Sequence, residues 1–551
     1  MGTLLPERVS ALPGGDQLVD FGRVTAGWTR ITVSGAPGTT VRLLHGQQLD
    51  EDGTVHQFQA DKDPDRHVDS YTLGDGERQT WEPSYTRHGF RYVQVSTSAP
   101  LRALELEARV VHSDLATTGT FASSDPLLDA IHRNQRSSLL SNLWGFPTDT
   151  AWRDRQGWLA DAYLYLDSAA LNFDVQGLYR DWLRTVRDAQ TDDGAIPVIA
   201  PDSREFIPLF DDPSWSGTVV LDVWLLYRYY GDRSFLTDNY PALSRWMDRM
   251  AAAVASTGDL YTGFSFGDWA SPGSERAGFW APEASDLTAN ADLHHEARTL
   301  AAIARELGET GDAARHDALA DRIAAAFNAR FLHPDEDVYG TTGNPFTGGD
   351  APGYRQTSNI VALAYGLVPA DREEAVLANL VADIRARGTH LDTGTIGTKL
   401  LLPLLTERGH GQLAHELATQ TTYPSWGCWV EQGATSSWEV WSIGDRDQCL
   451  DHAFLGSVDE WFYQHLAGIR PAAPGYAELL VAPFVPEGLD SVSASVWTPQ
   501  GRVGVDWVRS ADGVRITVSV PPGVPAEVRL PHASGVTSHR VTGGTHAFVV
   551  P

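Results

Sequence analysis

Lysine is almost absent from this chain. Only Lys62 and Lys399 occur, so arginine supplies nearly all of the basic charge, a bias of composition rather than of mechanism. Cysteine is as scarce, with Cys428 and Cys449 alone, which excludes a disulfide framework and the paired spacings of a structural zinc site. Basic charge is also short overall, leaving a formal net charge of −29. A surface of that sign repels phosphate, so nucleic acid and anionic membrane are not expected partners. The charge reads as a solvated acidic surface. No apolar run is long enough to span a membrane. The start, Met1-Gly-Thr-Leu-Leu-Pro-Glu-Arg8, lacks the apolar core of a secretory leader. Cytoplasmic residence is the expectation, and a homodimer is compatible with the sequence but not required by it.

What is present divides into three parts. At 551 residues the chain exceeds one hydrophobic core. Up to about residue 117 the pattern is short strand-like runs with Gly and Pro between them, such as Arg30-Ile-Thr-Val-Ser34 and Phe90-Arg-Tyr-Val-Gln-Val95. From about 472 the alternation returns in Val503-Gly-Val-Asp-Trp507 and Val514-Arg-Ile-Thr-Val-Ser-Val520. Both ends therefore read as β-sandwich domains.

Between them the period becomes helical. Twelve helices are expected, at 124–143, 158–171, 174–190, 215–230, 233–255, 286–307, 312–331, 354–366, 370–387, 394–406, 409–421 and 450–467. Ser124-Asp-Pro126 opens the first with a capping residue and a first-turn proline. Connections after even-numbered helices are short, whereas most after odd-numbered ones are long, notably 144–157, 191–214, 256–285, 332–353 and 422–449. Helices joined by short turns run antiparallel, so the long loops emerge at one end. That describes an (α/α)6 barrel with its working face at the long-loop rim. The expected division is 1–117, 118–470 and 471–551.

Tryptophan follows the same rim. Trp144, Trp152, Trp215, Trp269, Trp280, Trp426, Trp429, Trp438 and Trp441 fall in or beside those loops, and Trp158 follows one of them. Rings of this kind stack on the C–H faces of sugars. Two loops set acids among them: Asp149-Thr-Ala-Trp-Arg-Asp-Arg-Gln-Gly-Trp158 and Gly433-Ala-Thr-Ser-Ser-Trp-Glu-Val-Trp441. Glycosidic bonds are hydrolysed by a pair of carboxyl groups, one giving a proton to the leaving oxygen and one serving water or the anomeric carbon. The first loop and the helix after it offer Asp149, Asp154 and Asp161, of which at least one is expected to act; helix capping or pairing with Arg153 and Arg155 is the plainer reading, and Asp161 suits it best. In the last loop Glu439, between Trp438 and Trp441, is the sharpest candidate, while Asp445 and Asp447 suit a surface role. His452 fits sugar contact and structural hydrogen bonding equally. His294-His295-Glu296 lacks metal-ligand spacing and reads as incidental, and the Gly343–Gly353 stretch reads as a rim loop without a phosphate-binding pattern.

These segments resemble the α-L-rhamnosidases of glycoside hydrolase family 78, over nearly the whole chain. The likeness runs through Asp20-Phe-Gly22, Gly27-Trp28, His88-Gly-Phe-Arg-Tyr-Val93, Asp149 to Asp161, Gly267-Asp-Trp269, His390-Leu-Asp-Thr-Gly394, Tyr423-Pro-Ser-Trp-Gly427, Gly433 to Trp441, Asp451-His452 and Leu466-Ala-Gly-Ile-Arg-Pro471. The resemblance implies inverting exo-hydrolysis of terminal α-L-rhamnosides, with a general acid in the first loop and a general base in the last. By position Glu439 matches the base, and Asp149, Trp158, Trp215, Trp269 and His452 match sugar-holding positions. With Arg153, Asp161, Trp426 and Trp438 added, these form the expected substrate-binding set. No metal or organic cofactor is expected.

Two departures stand out. The family's adjacent Asp-Glu is a single acid here, in a loop one residue shorter. Aligned on Gly157-Trp158, Asp154 takes the place of the acidic Glu; aligned from Asp149, that acid is missing. The family's carboxylate two residues after the Trp215 position is Gly217 in this chain. A same-fold hydrolase of another sugar and a silent carbohydrate-binding protein are the alternatives that these departures leave open.

Overall fold

The computed structural model describes residues 2–57, 63–75, 77–201, 209–273, 285–340, 355–442, 447–532 and 535–550. Trp280, Asp445 and the Gly343–Gly353 stretch lie outside them.

The N-terminal part is built on one long strand. Gln17–Gly35 pairs antiparallel with His88–Thr97 along its first half and with Leu101–Val110 along its second, within an eight-stranded sheet. Alternation places Ile31 and Val33 inward, against Val41, Leu43, Phe90 and Val93, in a core separate from the rest of the molecule. From the strand Thr40–Gly46 the chain enters a small hairpin, with Leu49 bridged to Val55 and His56 N donating to Gln48 O at 3.0 Å.

The helical part alternates two kinds of helix. Gln176–Ala189 buries Tyr179, Trp182, Leu183 and Val186, a single stripe at helical spacing. Glu373–Ala386 likewise buries only Val376, Leu380 and Ile384. The helices between such one-faced members are buried nearly all round, as are Leu166–Asn172, Ser285–Leu307 and Gln356–Ala364. Short turns reverse the chain where the sequence signals them. Gly231, left-handed at φ 68°, ends Thr218–Tyr230, and Ser234–Ala255 starts three residues on. The cap of the first helix, Pro126–Asn142, is Asp125 rather than Ser124; its carboxylate accepts from Leu127 N at 2.8 Å.

Gly119–Ser123, ahead of the first helix, is a strand paired with Ser491–Thr498 of the C-terminal seven-stranded sheet. Two expectations need correction. The last rim loop contains a helix, Trp426–Glu431, capped by the Ser425 hydroxyl. The expected final helix is a 3-10 turn, one α-turn and a π-turn in series, from Phe454 to Leu466. Helical part and C-terminal sheet share one continuous core, from Phe121 to Val550. No helix among the described residues is long and apolar enough to cross a membrane.

Lys399 is buried in this core, its ammonium 2.7 Å from both Asp167 and Glu460. The two carboxyls share one positive charge. Burial, opposed by Lys399 and reinforced by Asp167, pushes Glu460 up to about 8. Asp222 faces the same cluster with no hydrogen-bond partner for either oxygen among the described residues. Burial holds its pKa well above the ordinary carboxylate range. Between the unfolded value, about 4, and that raised one the folded chain keeps a proton that the unfolded chain has released, so stability falls as pH rises across that interval. The Asp222→Asn variant should lose several degrees less of its thermal midpoint over that range. Parallel curves for wild type and variant would show Asp222 to be ionised in the fold.

Candidate active site

The first rim loop is closed by Asp149. Its N–H donates to Gln156 O at 3.0 Å, and its Oδ1 accepts from Gln156 N at 2.7 Å. This cinches 150–155 into a tight excursion, in which Arg155 takes a left-handed φ of 58°. Arg153 N donates to the Thr150 hydroxyl at 3.0 Å, which fixes the turn that carries Arg153 and Asp154. Asp149 is buried. That burial, and then the neighbouring Asp154 and Asp161 carboxylates, holds its carboxyl well above the usual range.

The last rim loop meets it. Glu439 N donates to Cys449 O at 3.0 Å, and Cys449 N donates to Glu439 Oε2 at 2.9 Å. The other oxygen, Oε1, pairs with Arg153 Nη2. The same guanidinium donates through Nε to Asp154 Oδ1 at 3.2 Å and through Nη1 to Asp447 O at 3.3 Å. Burial works against the charge on Arg153, but Glu439 and then Asp154 more than offset it and raise its pKa. The two acids singled out from the sequence therefore flank one guanidinium, which bounds the separation of their bonded oxygens to roughly 8 Å.

Asp161 and His452 form a carboxyl–imidazole pair, with Oδ1 and Nε2 at 2.6 Å and both residues buried. Burial raises Asp161, and the His452 contact acts in the opposite sense. The His452 ring lies on Phe454 at 3.6 Å. A backbone bridge between Thr150 and His452 joins the two rim loops directly.

Aromatic residues of the rim loops form a cluster of their own, an aromatic wall. Phe266 is its centre, edge-on to Trp158 at 5.6 Å and to Trp269 at 5.5 Å, with Trp215 at 4.8 Å. Two buried aspartates anchor it. Asp268 accepts from the Thr357 hydroxyl and from the backbone N–H groups of Gly394, Ile396 and Gly397, 2.5 to 3.2 Å away. It thus fastens the Trp269 turn to the start of the helix Thr395–Glu407. Gly394 is required there, because a Cβ would lie 2.3 Å from Trp269 O. Asp212 accepts from Ser214 N and Phe266 N at 2.9 and 2.8 Å, binding the Trp215 turn to the wall; burial pushes it up to about 7. Sequence reading missed Phe266, Asp212 and Asp268 as site residues. Only Gly267-Asp-Trp269 carried a signal, and it carried it as a motif.

Not every candidate ring has a face to offer. Trp426, Trp429 and Trp441 are buried against one another, with Trp426 and Trp429 5.4 and 5.2 Å from Trp441, and Trp438 packs on Trp429. The Trp426 indole donates to Leu455 O, so it braces the loop from behind and offers no free face to a sugar. Trp152 is also fully buried. Glu296, read as incidental, is not: a Cβ built on Gly217 would lie 2.1 Å from its Oε1. The space of the missing side chain at 217 is filled by a carboxyl from the helix Ser285–Leu307, which burial and then Asp292 hold well above the usual carboxylate range.

Among the described residues, the His/Asp grouping close enough to ligate a cation is His45, Asp69 and His88, within the N-terminal sheet. The two rings stack in parallel at 4.2 Å, so their in-plane lone pairs run side by side instead of converging on one ion. Beside the site, a cleft of about 890 Å³ is lined by Pro272, Arg355, Asp392, Tyr423 and Ser442 among others.

Comparison with known proteins accounts for the whole chain. Residues 116–466 match the bacterial alpha-L-rhamnosidase 6 hairpin glycosidase domain, 10–112 the concanavalin-like domain and 468–545 the C-terminal domain of the same enzymes. An alpha-L-rhamnosidase of Streptomyces avermitilis is 35% identical over 526 residues, 93% of this chain and 48% of that protein. One from Alteromonas sp. (strain LOR) is 30% identical, over 93% of this chain and 55% of its own length. The chain thus spans about half the length of the curated relatives it matches. Among solved structures, the alpha-L-rhamnosidase from Dictyoglumus thermophilum superposes with TM-score 0.91 at 31% identity, over 100% of this chain and 63% of that one. The Streptomyces avermitilis enzyme in complex with L-rhamnose superposes with TM-score 0.89 at 32% identity, over 100% and 53%. Together with the two acids on Arg153 and the wall around Phe266, these matches place the chain in the bacterial α-L-rhamnosidase family, glycoside hydrolase family 78.

Proposed function

We propose that this chain hydrolyses terminal, non-reducing α-L-rhamnosides with inversion, Asp154 acting as general acid and Glu439 as general base. The observation that carries the reading is the junction at Arg153, where an acid from the first rim loop and an acid from the last meet beside an aromatic wall. The relative crystallised with L-rhamnose supports the choice of sugar. The alternation of wholly buried and one-faced helices supports an inner and an outer ring, an (α/α)6 barrel at 118–470 between β-sandwiches at 1–117 and 471–551. Gly119–Ser123 is then a strand lent by the barrel's entry to the C-terminal sheet.

In this mechanism Asp154 gives its proton to the glycosidic oxygen as the bond to the anomeric carbon breaks. Glu439 takes a proton from the water that attacks that carbon from the opposite face. Inverting pairs stand about 6.5–9.5 Å apart, which the bound set by Arg153 accommodates. Asp149, its carboxyl held well above the usual range by burial, stands next to the pair to bond a ring hydroxyl. Trp158, Trp215 and Trp269 suit the C–H face and the 6-methyl group of a deoxyhexose.

On an aryl α-L-rhamnoside, the Glu439→Gln variant should lose at least about 10³-fold in kcat with its thermal midpoint preserved. Retained turnover would remove Glu439 as base. Replacing Asp154 by Asn should slow substrates with poor leaving groups far more than activated aryl ones; equal losses would refute the acid role. Proton NMR of the first turnovers should show β-L-rhamnose as the initial product, and an α product would mean retention. Faster cleavage of another aryl glycoside would keep the chemistry and reassign the sugar.

A further inference from the structure

The N-terminal part does more than flank the helices. Its hairpin after the strand Thr40–Gly46 reaches a four-residue strap, 447–450, that runs along the back of the site. Gln47 Oε1 accepts from Leu450 N at 2.7 Å. Gln48 Nε2 donates to Gln448 O at 3.0 Å. His56 bridges two carboxylates, Nδ1 to Asp50 Oδ1 and Nε2 to Asp447 Oδ1, each at 2.9 Å. Each attachment point on the strap lies one or two residues from the next, so the hairpin fixes the strap along its length.

What the strap holds is the proposed catalytic pair. Cys449 exchanges two hydrogen bonds with Glu439, one of them onto the carboxylate itself. Asp447 O accepts from Arg153 Nη1, and Arg153 carries Glu439 and Asp154. From the opposite side Arg66, also of the N-terminal part, donates to Arg153 O at 2.7 Å. The hairpin itself is stiff. Asp50 N bonds Thr54 O at 2.8 Å, and Gly46 packs so closely that a Cβ would lie 2.4 Å from Val55. Its core is separate from that of the helices, so it acts on the strap as one body.

We infer that Gln47, Gln48 and His56 are positioning residues for hydrolysis: through the 447–450 strap they set the orientation of the Glu439 carboxylate and the Arg153 guanidinium. The catalytic centre is therefore assembled from two parts of the chain and is incomplete in the helical part alone. This rests on the reading of Glu439 as the base. A carboxylate displaced by an ångström loses transition-state alignment more than sugar affinity, because the sugar is held by the aromatic wall and Asp161–His452. The signature of positioning is thus a fall in kcat with KM nearly unchanged.

The test uses the full chain and an aryl α-L-rhamnoside. Both Gln47→Leu, near-isosteric but without an acceptor, and His56→Leu should lower kcat by about ten- to a hundredfold, with KM within about threefold. His56→Gln, which still offers a donor to Asp447, should recover most of the His56→Leu loss. Because His56 acts through Asp447, the double variant His56→Leu/Asp447→Asn should be no slower than the worse single one. His56 is only partly buried, so its variants carry the test even if Gln47→Leu fails to fold. Wild-type kcat in His56→Leu, additive losses in the double variant, or a rise in KM matching the fall in kcat would each overturn the inference. An active Glu439→Gln would instead overturn the functional reading, while an inactive Glu439→Gln beside fully active hairpin variants would sink only the positioning role.

Discussion

One guanidinium ties the site together. Arg153 and Glu439 lie 286 residues apart in the chain, yet their side chains pair in a region that excludes most solvent. A buried cation of this kind is tolerable only when its partners are in place, since removing charges from water costs several kcal/mol per ion before any pairing. The first and last rim loops must therefore fold against each other. Much of the surrounding structure serves that end: the Asp149–Gln156 clasp shapes one loop, and the Cys449–Glu439 exchange shapes the other. The N-terminal hairpin holds the strap behind both. The planar fork of arginine can address two carboxylates from fixed directions, which the point charge of a lysine ammonium cannot.

The same economy of counter-ions governs the interior. Part of the acidity read from the composition as a solvated surface is internal. Asp149, Asp222 and Glu296 are buried with carboxyls held well above the ordinary range, and Asp212 and Asp292 are pushed up to about 7. The formal charge of −29 counts each of these as a full negative charge. In a chain with two lysines, Lys399 occupies the middle of the core, where a compact ammonium fits between two carboxyls.

Helices and the approach of Asp154 to Glu439 were legible because both follow from local rules. Periodicity marks the helices, and alternating short turns such as Gly231-Asp232 force every second loop to the same end. What was hidden depends on distant partners. Gly119–Ser123 is a strand only because Ser491–Thr498 completes it, with Thr120 and Ser495 375 residues apart. Trp426 and Trp429 looked like sugar platforms because loop tryptophans at a rim often are, but their faces are spent on Trp441. Asp212 and Asp268 looked like ordinary loop acids. Their role, collecting backbone N–H groups from other loops, has no sequence period to betray it. Asp447, read as surface charge, lies on the strap that the N-terminal hairpin grips.

The carboxyl of Glu296 occupies the space beside Gly217. A side chain added at 217 would have to swing that carboxyl aside. The two residues are therefore coupled through one small volume, and a change at either is felt first at the other.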